Sequence, residues 1–153
     1  MTFENTDPLV EVRHIGRGKT GWLLWEDWHA YWEHGGNWYR TMVPSGFLSD
    51  KASVPRPLTL LAARDELGLK GIIVHDWIYH NKGKVAVEKW LGCRGMEGGE
   101  WRGEIGRPVQ FTRRQADALM FRFFREDNIE PRWRRRGAYK LVRLNSRLRG
   151  DDW

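Results

Sequence analysis

The segment IIVHDWIYH, residues 72–80, places a histidine and an aspartate side by side in an otherwise apolar run. At helical spacing, four of its residues fall at positions i, i+3, i+4 and i+7 and share one face of a predicted helix: Ile72, His75, Asp76 and Tyr79. A buried carboxylate is costly without a partner. This helix therefore needs a polar partner elsewhere in the fold, which constrains how the chain can pack.

A second predicted helix supplies that partner. Its start is marked by the sequence TRRQ, a capping box with Thr112 at the N-cap and Gln115 at the third helical position. Asp117 lies on the apolar face of this helix. If the two helices pack face to face, Asp117 can accept a hydrogen bond from one nitrogen of His75 and raise the basicity of the other. Such a dyad can activate water as a general base, and a purely structural polar contact is the plainer alternative.

Asp76 lies one step around the helix from His75 and can point elsewhere. Together with loop oxygens it could hold a hard cation such as calcium. The loop GFLSDKASVP, which contains Asp50, could supply those oxygens. In the simpler alternative, Asp50 forms an Asx turn with its own backbone. The predicted metal ligands are thus Asp76 and Asp50.

The remaining patterns predict a single α+β domain over residues 1–153. Alternating apolar residues around the turn sequence HGGN predict an antiparallel β-hairpin, rich in tryptophan, at 22–44. The other expected segments are an ordered loop at 44–57, helices at 58–81, a folded glycine- and tryptophan-rich insertion at 83–108, and helices at 112–148. The expected architecture is therefore a hairpin followed by three to four helices, two of them packed face to face.

The chain is basic, with a formal net charge of +6. That charge permits binding to an anionic membrane, an acidic protein or nucleic acid, of which nucleic acid is not expected. A basic face that is merely solvated is the plainer alternative. The last predicted helix carries much of the charge on its exposed, arginine-rich side. Its apolar residues are expected to face inward, namely Trp133, Leu141, Val142 and Leu148.

Several classes of protein are excluded or disfavoured. The single cysteine, Cys93, excludes an intrachain disulfide and favours a reducing compartment or a particle assembled in one. The apolar runs are shorter than the roughly 18 residues that a membrane span needs. The first residues show no basic region followed by an apolar stretch, so no secretory signal peptide is expected.

Three motifs in order resemble a phage- and prophage-associated family of unknown function: VPSGFLSDKASVPRP at 43–57, IIVHDWIYH at 72–80 and RRQADALMFRFF at 113–124. The resemblance implies an accessory or structural role in a phage particle, at the tail or capsid. It also implies that the protein occurs in the phage particle or in the host cytoplasm. The tryptophan-rich hairpin is then expected to contact other phage structural proteins.

The pattern H-D-x-x-Y on one helix, followed by R-x-x-x-D on an antiparallel helix, is similar to secreted phospholipase A2, particularly its disulfide-poor bacterial members. This resemblance implies that His75 activates water, Asp76 binds calcium, Asp117 orients His75, and Tyr79 supports the dyad by hydrogen bonding. The family's glycine-rich calcium loop and cysteine pairs are absent, so the loop with Asp50 would have to substitute. The resemblance implies an alternative to the accessory role in a phage particle, namely a calcium-dependent esterase or lipase that acts on the host envelope.

Overall fold

A computed structural model describes residues 3–16, 19–49, 68–92, 99–103, 108–127, 132–148, 150 and 153. Within these residues the chain forms three antiparallel β-sheets and three α-helices. Most of the strands precede the first helix, and the remaining short strands lie between the first and second helices.

The first sheet has the strand order β1-β2-β5, formed by β1 (Val10–Gly16), β2 (Lys19–Leu24) and β5 (Leu48–Ser49). Gly21 lies where β5 approaches β2, and a Cβ atom there would come within 2.6 Å of the Ser49 carbonyl oxygen. In the antiparallel pairing of β2 with β5, Trp22, the residue after Gly21, lies opposite Ser49. This close pairing holds Ser49 in place beside the first helix.

The second sheet has the order β3-β4-β7-β8. Its strands are β3 (Trp28–His34), β4 (Asn37–Val43), β7 (Glu88–Gly92) and β8 (Gly99–Gly103). The turn between β3 and β4 consists of Gly35 and Gly36, whose φ angles are 59° and 76°. A two-residue hairpin turn of this twist needs positive φ at both positions, which glycine accepts without strain. A third, two-stranded sheet pairs β6 (Lys84–Val85) with β9 (Val109–Gln110).

The helices are α1 (Leu69–His80), α2 (Arg113–Glu126) and α3 (Arg132–Leu148). α1 is buried around most of its circumference, since six consecutive residues, 71–76, are buried together with Ile78. A helix that is buried all round belongs at the centre of a fold. α2 packs against α1 and α3 packs against α2. The capping box expected at Thr112 and Gln115 is present at the start of α2.

The predicted architecture of one hairpin followed by three to four helices is wrong. The chain is mixed α+β, but three sheets take the place of the single hairpin. Residues 22–24 belong to β2, and the insertion at 83–108 contributes β6, β7 and β8. Alternation along the sequence does not reveal that the chain changes sheets between residues 24 and 28, and strands of two to five residues are too short for a periodic signal. Of the helices expected at 58–81, residues 58–67 lie outside the described residues, as does the expected loop from residue 50 onward.

The expected orientation of α3 is also partly wrong. Val142 is buried, but Trp133 is 55% exposed and Leu148 is 80% exposed. At about 100° per residue, Trp133 lies roughly 180° and Leu148 roughly 120° around the helix from Val142. Both therefore share the outer side with the cations. No helix within the described residues is long and apolar enough to cross a membrane.

Candidate active site

The site lies where α1 crosses α2. Gly71 makes this crossing close, because a Cβ atom at that position would lie 2.8 Å from the Phe124 ring and 2.9 Å from the Met120 carbonyl oxygen. Contacts at these distances require a residue without a side chain. The close crossing brings His75, one turn further along α1, against Asp117 on α2.

His75 and Asp117 form a buried pair. The His75 Nε2 atom lies 2.8 Å from Asp117 Oδ1, and the two side chains are 1% and 0% exposed. The hydroxyl of Tyr79, one turn after His75, donates to the same carboxylate oxygen over 2.9 Å. An ionised carboxylate only accepts hydrogen bonds, so Nε2 carries the proton and Nδ1 holds the lone pair when the ring is neutral.

The second oxygen of Asp117 is held by α3. Asp117 Oδ2 accepts from the Ser146 hydroxyl over 2.7 Å and from the Arg143 guanidinium over 3.1 Å. Sequence reasoning missed both residues, because α3 appeared as a helix with an apolar inner side and a basic outer side. A signal for Ser146 was present, since Ala138, Val142 and Ser146 recur every four residues and form the buried stripe of α3.

The opposite side of the His75 ring faces Asp76. His75 Nδ1 lies 3.8 Å from Asp76 Oδ1, too far for a hydrogen bond. Both atoms are buried, and neither has a hydrogen-bond partner within the described part of the chain. The other oxygen of Asp76 accepts a hydrogen bond from the Ser49 hydroxyl of β5. A reacting molecule that used His75 as a base would therefore have to reach Nδ1 on the side of the ring that faces Asp76.

The electrostatics favour a charged Asp117 beside a basic His75. Burial acts to lower the pKa of His75, but the hydrogen bond to Asp117 and the nearby Asp76 carboxylate outweigh it, so the pKa is raised. Burial opposes the ionisation of Asp117, yet the bonds from His75, Ser146 and Tyr79 hold its pKa below the usual value. Burial is the main reason that the pKa of Tyr79 is raised, so its hydroxyl stays protonated and donates.

The predicted metal ligands are only partly described. Asp76 is buried next to Ser49, whereas Asp50 lies outside the described residues. Calcium takes six to eight oxygen ligands. The described oxygens at this point come from Asp76 and Ser49, and the described residues contain no group of three or more His, Cys, Asp or Glu side chains suited to a metal ion. These residues do not complete a calcium site, so calcium stays a prediction.

The tryptophans expected to form a docking surface serve internal packing in part. Trp28 and Trp32 of β3 are buried in the core. Trp38 of β4 contacts Phe3, with ring centroids 5.4 Å apart, and Phe3 also contacts Trp90 and two other rings of the same sheet. The role of the hairpin in binding phage structural proteins stays a prediction.

An apolar pocket of about 490 Å³ lies elsewhere, between the second sheet and α2. Its walls include Trp32, Tyr39, Phe111 and Leu119, and Arg122 is among its polar residues. None of the residues around the His75 ring lines this pocket. The pocket therefore adds no residue to the candidate active site.

Fold and site together define a small mixed α+β protein with a buried His–Asp pair between two helices. The chain belongs to a family described as a protein of unknown function, DUF1353, which matches residues 22–142. The predicted membership of a family of unknown function is thereby confirmed. The matched range contains His75, Asp76, Tyr79 and Asp117. No curated protein and no solved structure matches the chain.

Proposed function

We propose that the protein is a bacteriophage accessory protein that carries a hydrolytic His/Asp site of the phospholipase A2 type. The observation that carries the proposal is the orientation of the His75 ring. Nε2 is bound to the buried Asp117 carboxylate, and Nδ1 faces Asp76 without a hydrogen-bond partner among the described residues. This is the arrangement that a general base needs, since one nitrogen is oriented and the other is left for the reaction.

In the proposed reaction, His75 Nδ1 removes a proton from a water molecule as the water oxygen attacks an ester carbonyl carbon. The bond from that carbon to the alcohol oxygen then breaks, and His75 returns the proton to the departing alkoxide. Asp117 stays ionised throughout and stabilises the imidazolium that forms between the two proton transfers. Tyr79 and Ser146 hold the carboxylate in position by donating to it.

The phage assignment is supported by the motifs that carry the family resemblance. Their described parts include β5, α1 and α2, which are far apart in the sequence and meet at one place. Ser49 from the first motif binds Asp76 from the second, and His75 from the second binds Asp117 from the third. A site shared by all three motifs is a reason for them to occur together. The alternative, an esterase or lipase acting on the host envelope, uses the same residues.

Hydrolysis is tested by measuring fatty-acid release from a short-chain phosphatidylcholine that is monomeric in solution. We expect turnover by the wild type and a loss of at least about 100-fold in His75→Gln, which keeps a polar side chain but lacks the base. The control is His80→Ala, which removes an exposed histidine from the same helix and should leave turnover unchanged. Circular dichroism establishes that each variant is folded.

Two results would overturn the hydrolytic part of the proposal. One is equal turnover in wild type and in folded His75→Gln, and the other is no release from any ester by the wild type. His75, Tyr79 and Asp117 would then act as a polar contact that holds α1, α2 and α3 together. In that case His75→Gln would lower stability, and the protein would retain its place as an accessory component, detectable as stoichiometric copies in purified particles.

Calcium at Asp76 belongs to the same proposal and has its own test. Calorimetric titration of calcium into the wild type should give heat of binding, and the conservative variant Asp76→Asn should abolish it. Ser49→Ala is the matched variant, because it removes the hydrogen bond to Asp76 and leaves the carboxylate. No binding by the wild type would remove calcium from the proposal and leave the base mechanism at His75 to be judged by hydrolysis alone.

A further inference from the structure

Helix α3 carries charge of a single sign. Its 17 residues include seven arginines and lysines and no aspartate or glutamate: Arg132, Arg134, Arg135, Arg136, Lys140, Arg143 and Arg147. A helix face that is merely solvated usually mixes charges of both signs, which pair along the helix. The composition of α3 therefore indicates attraction to a negatively charged partner.

Large apolar side chains lie among the exposed cations. Trp133 is 55% exposed, Leu144 is 54% exposed and Leu148 is 80% exposed. At about 100° per residue, these three and the exposed residues Arg136, Lys140 and Arg147 fall within a stripe roughly 120° wide. We call these six residues the outer stripe of α3. The opposite side of the helix, with Val142 at its centre, is buried against the protein.

A groove beside the outer stripe is lined by cations from two helices. It has a volume of about 520 Å³ and is bounded by Arg114 of α2 and by five residues of α3: Tyr139, Lys140, Arg143, Leu144 and Arg147. None of these described lining residues is acidic. Arg143 also binds Asp117, so the groove adjoins the far side of the His–Asp pair. Converging arginine and lysine side chains are the usual way in which proteins hold a phosphate group.

We propose that the outer stripe of α3 binds the surface of an anionic phospholipid bilayer, with a lipid phosphate in the groove between α2 and α3. Trp133, Leu144 and Leu148 enter the boundary between headgroups and acyl chains, while Lys140 and Arg147 reach the phosphates. A 17-residue helix is about 25 Å long, enough to lie along several headgroups. This binding needs no chemistry at His75 and stands apart from the proposed hydrolysis.

The exposed leucines decide between a bilayer and nucleic acid. Both partners would attract the cations, because both present phosphates. A nucleic-acid backbone offers no apolar surface to the exposed Leu144 and Leu148, whereas a bilayer surface buries both side chains. The mixture of cations with tryptophan and leucine therefore favours the bilayer.

The test is co-sedimentation with vesicles of phosphatidylcholine alone or of phosphatidylcholine with phosphatidylglycerol. We expect the wild type to bind the anionic vesicles and to be released by salt. Lys140→Gln and Arg147→Gln should each weaken binding about fivefold, and Leu148→Ser should weaken it about tenfold. Two matched controls should bind like the wild type: Arg102→Gln, an exposed arginine on β8, and Leu9→Ser, an exposed leucine before β1.

Two further measurements separate this inference from the proposed hydrolysis. His75→Gln should bind vesicles like the wild type, and Leu148→Ser should hydrolyse a monomeric ester at the wild-type rate. The bilayer inference is overturned by equal binding to both kinds of vesicle, or by variants of the outer stripe that bind like the controls. It is also overturned if duplex DNA displaces the protein from vesicles and DNA binding falls in Lys140→Gln but not in Leu148→Ser, since the surface would then serve nucleic acid.

Discussion

Replacing Asp117 by asparagine tests the centre of the site with almost no change of shape. The carboxylate accepts four hydrogen bonds, from His75 and Tyr79 at Oδ1 and from Ser146 and Arg143 at Oδ2. Asparagine keeps one acceptor, which can still serve His75 and Tyr79. Its NH₂ group takes the place of Oδ2. There the Ser146 hydroxyl can rotate to accept, whereas the Arg143 guanidinium loses its hydrogen bond to this oxygen.

The expected cost follows from these contacts. Removing one partner of a buried ion pair destabilises a protein by about 3–5 kcal/mol, because the other charge stays buried. We expect about 3 kcal/mol for Asp117→Asn, the lower end of this range, since three of the four contacts can survive. Ser146→Ala is the matched comparison, because it removes a single neutral donor to the same carboxylate and should cost about 1 kcal/mol.

The assay is urea denaturation followed both by tryptophan fluorescence and by far-ultraviolet circular dichroism. Coincident transitions justify a two-state free energy of unfolding for each variant. A loss below about 1 kcal/mol in Asp117→Asn would contradict a buried ion pair, because such a small cost belongs to an exposed pair. The buried His75–Asp117 ion pair would then be absent in solution.

Three further predictions concern packing and charge. Gly71→Ala should destabilise the protein by about 1–3 kcal/mol, because the added methyl group meets Phe124, and this outweighs the preference of alanine for helices. Thermal denaturation measures this change, and a gain in stability would contradict the close crossing of α1 and α2. The pKa of Asp117 is lowered in the fold, so its charge stabilises the protein at pH values above its ordinary pKa of 3.8. This stabilisation is lost as the pH falls through the lowered pKa. The difference in unfolding free energy between wild type and Asp117→Asn should therefore shrink between about pH 5 and pH 2, and a constant difference would count against the shift. Lys70→Met should lower the free energy of unfolding, measured by urea denaturation, by about 1–2 kcal/mol. The Lys70 ammonium group lies 3.1 Å from the mostly buried Asp127 carboxylate and links α1 to the end of α2. An unchanged stability would show that this ion pair contributes nothing.

Features that depend only on residues close together in the chain could be predicted from the sequence. The capping box at Thr112 and the glycine turn at residues 35–36 are local patterns with one favourable backbone solution each, and both are present. The contact between His75 and Asp117 was predictable for a related reason. His75 and Asp117 each lie on the apolar face of a predicted helix, and a buried Asp117 carboxylate needs a polar partner such as His75. Helical periodicity and the cost of a buried carboxylate were together enough to predict that these two helix faces meet.

Contacts between distant parts of the chain could not be predicted from the sequence and are seen only in the folded structure. Strand β4 pairs with β7 through Tyr39 and Lys89, and neither segment contains a signal for the other. The same holds for Ser49, which reaches Asp76 only because β5 pairs with β2. The outer stripe of α3 is a further case. The sequence pattern predicts that Trp133 and Leu148 face inward, and only the packing of α3 on α2 shows that they are exposed, because a helix can bury one side against a single neighbour.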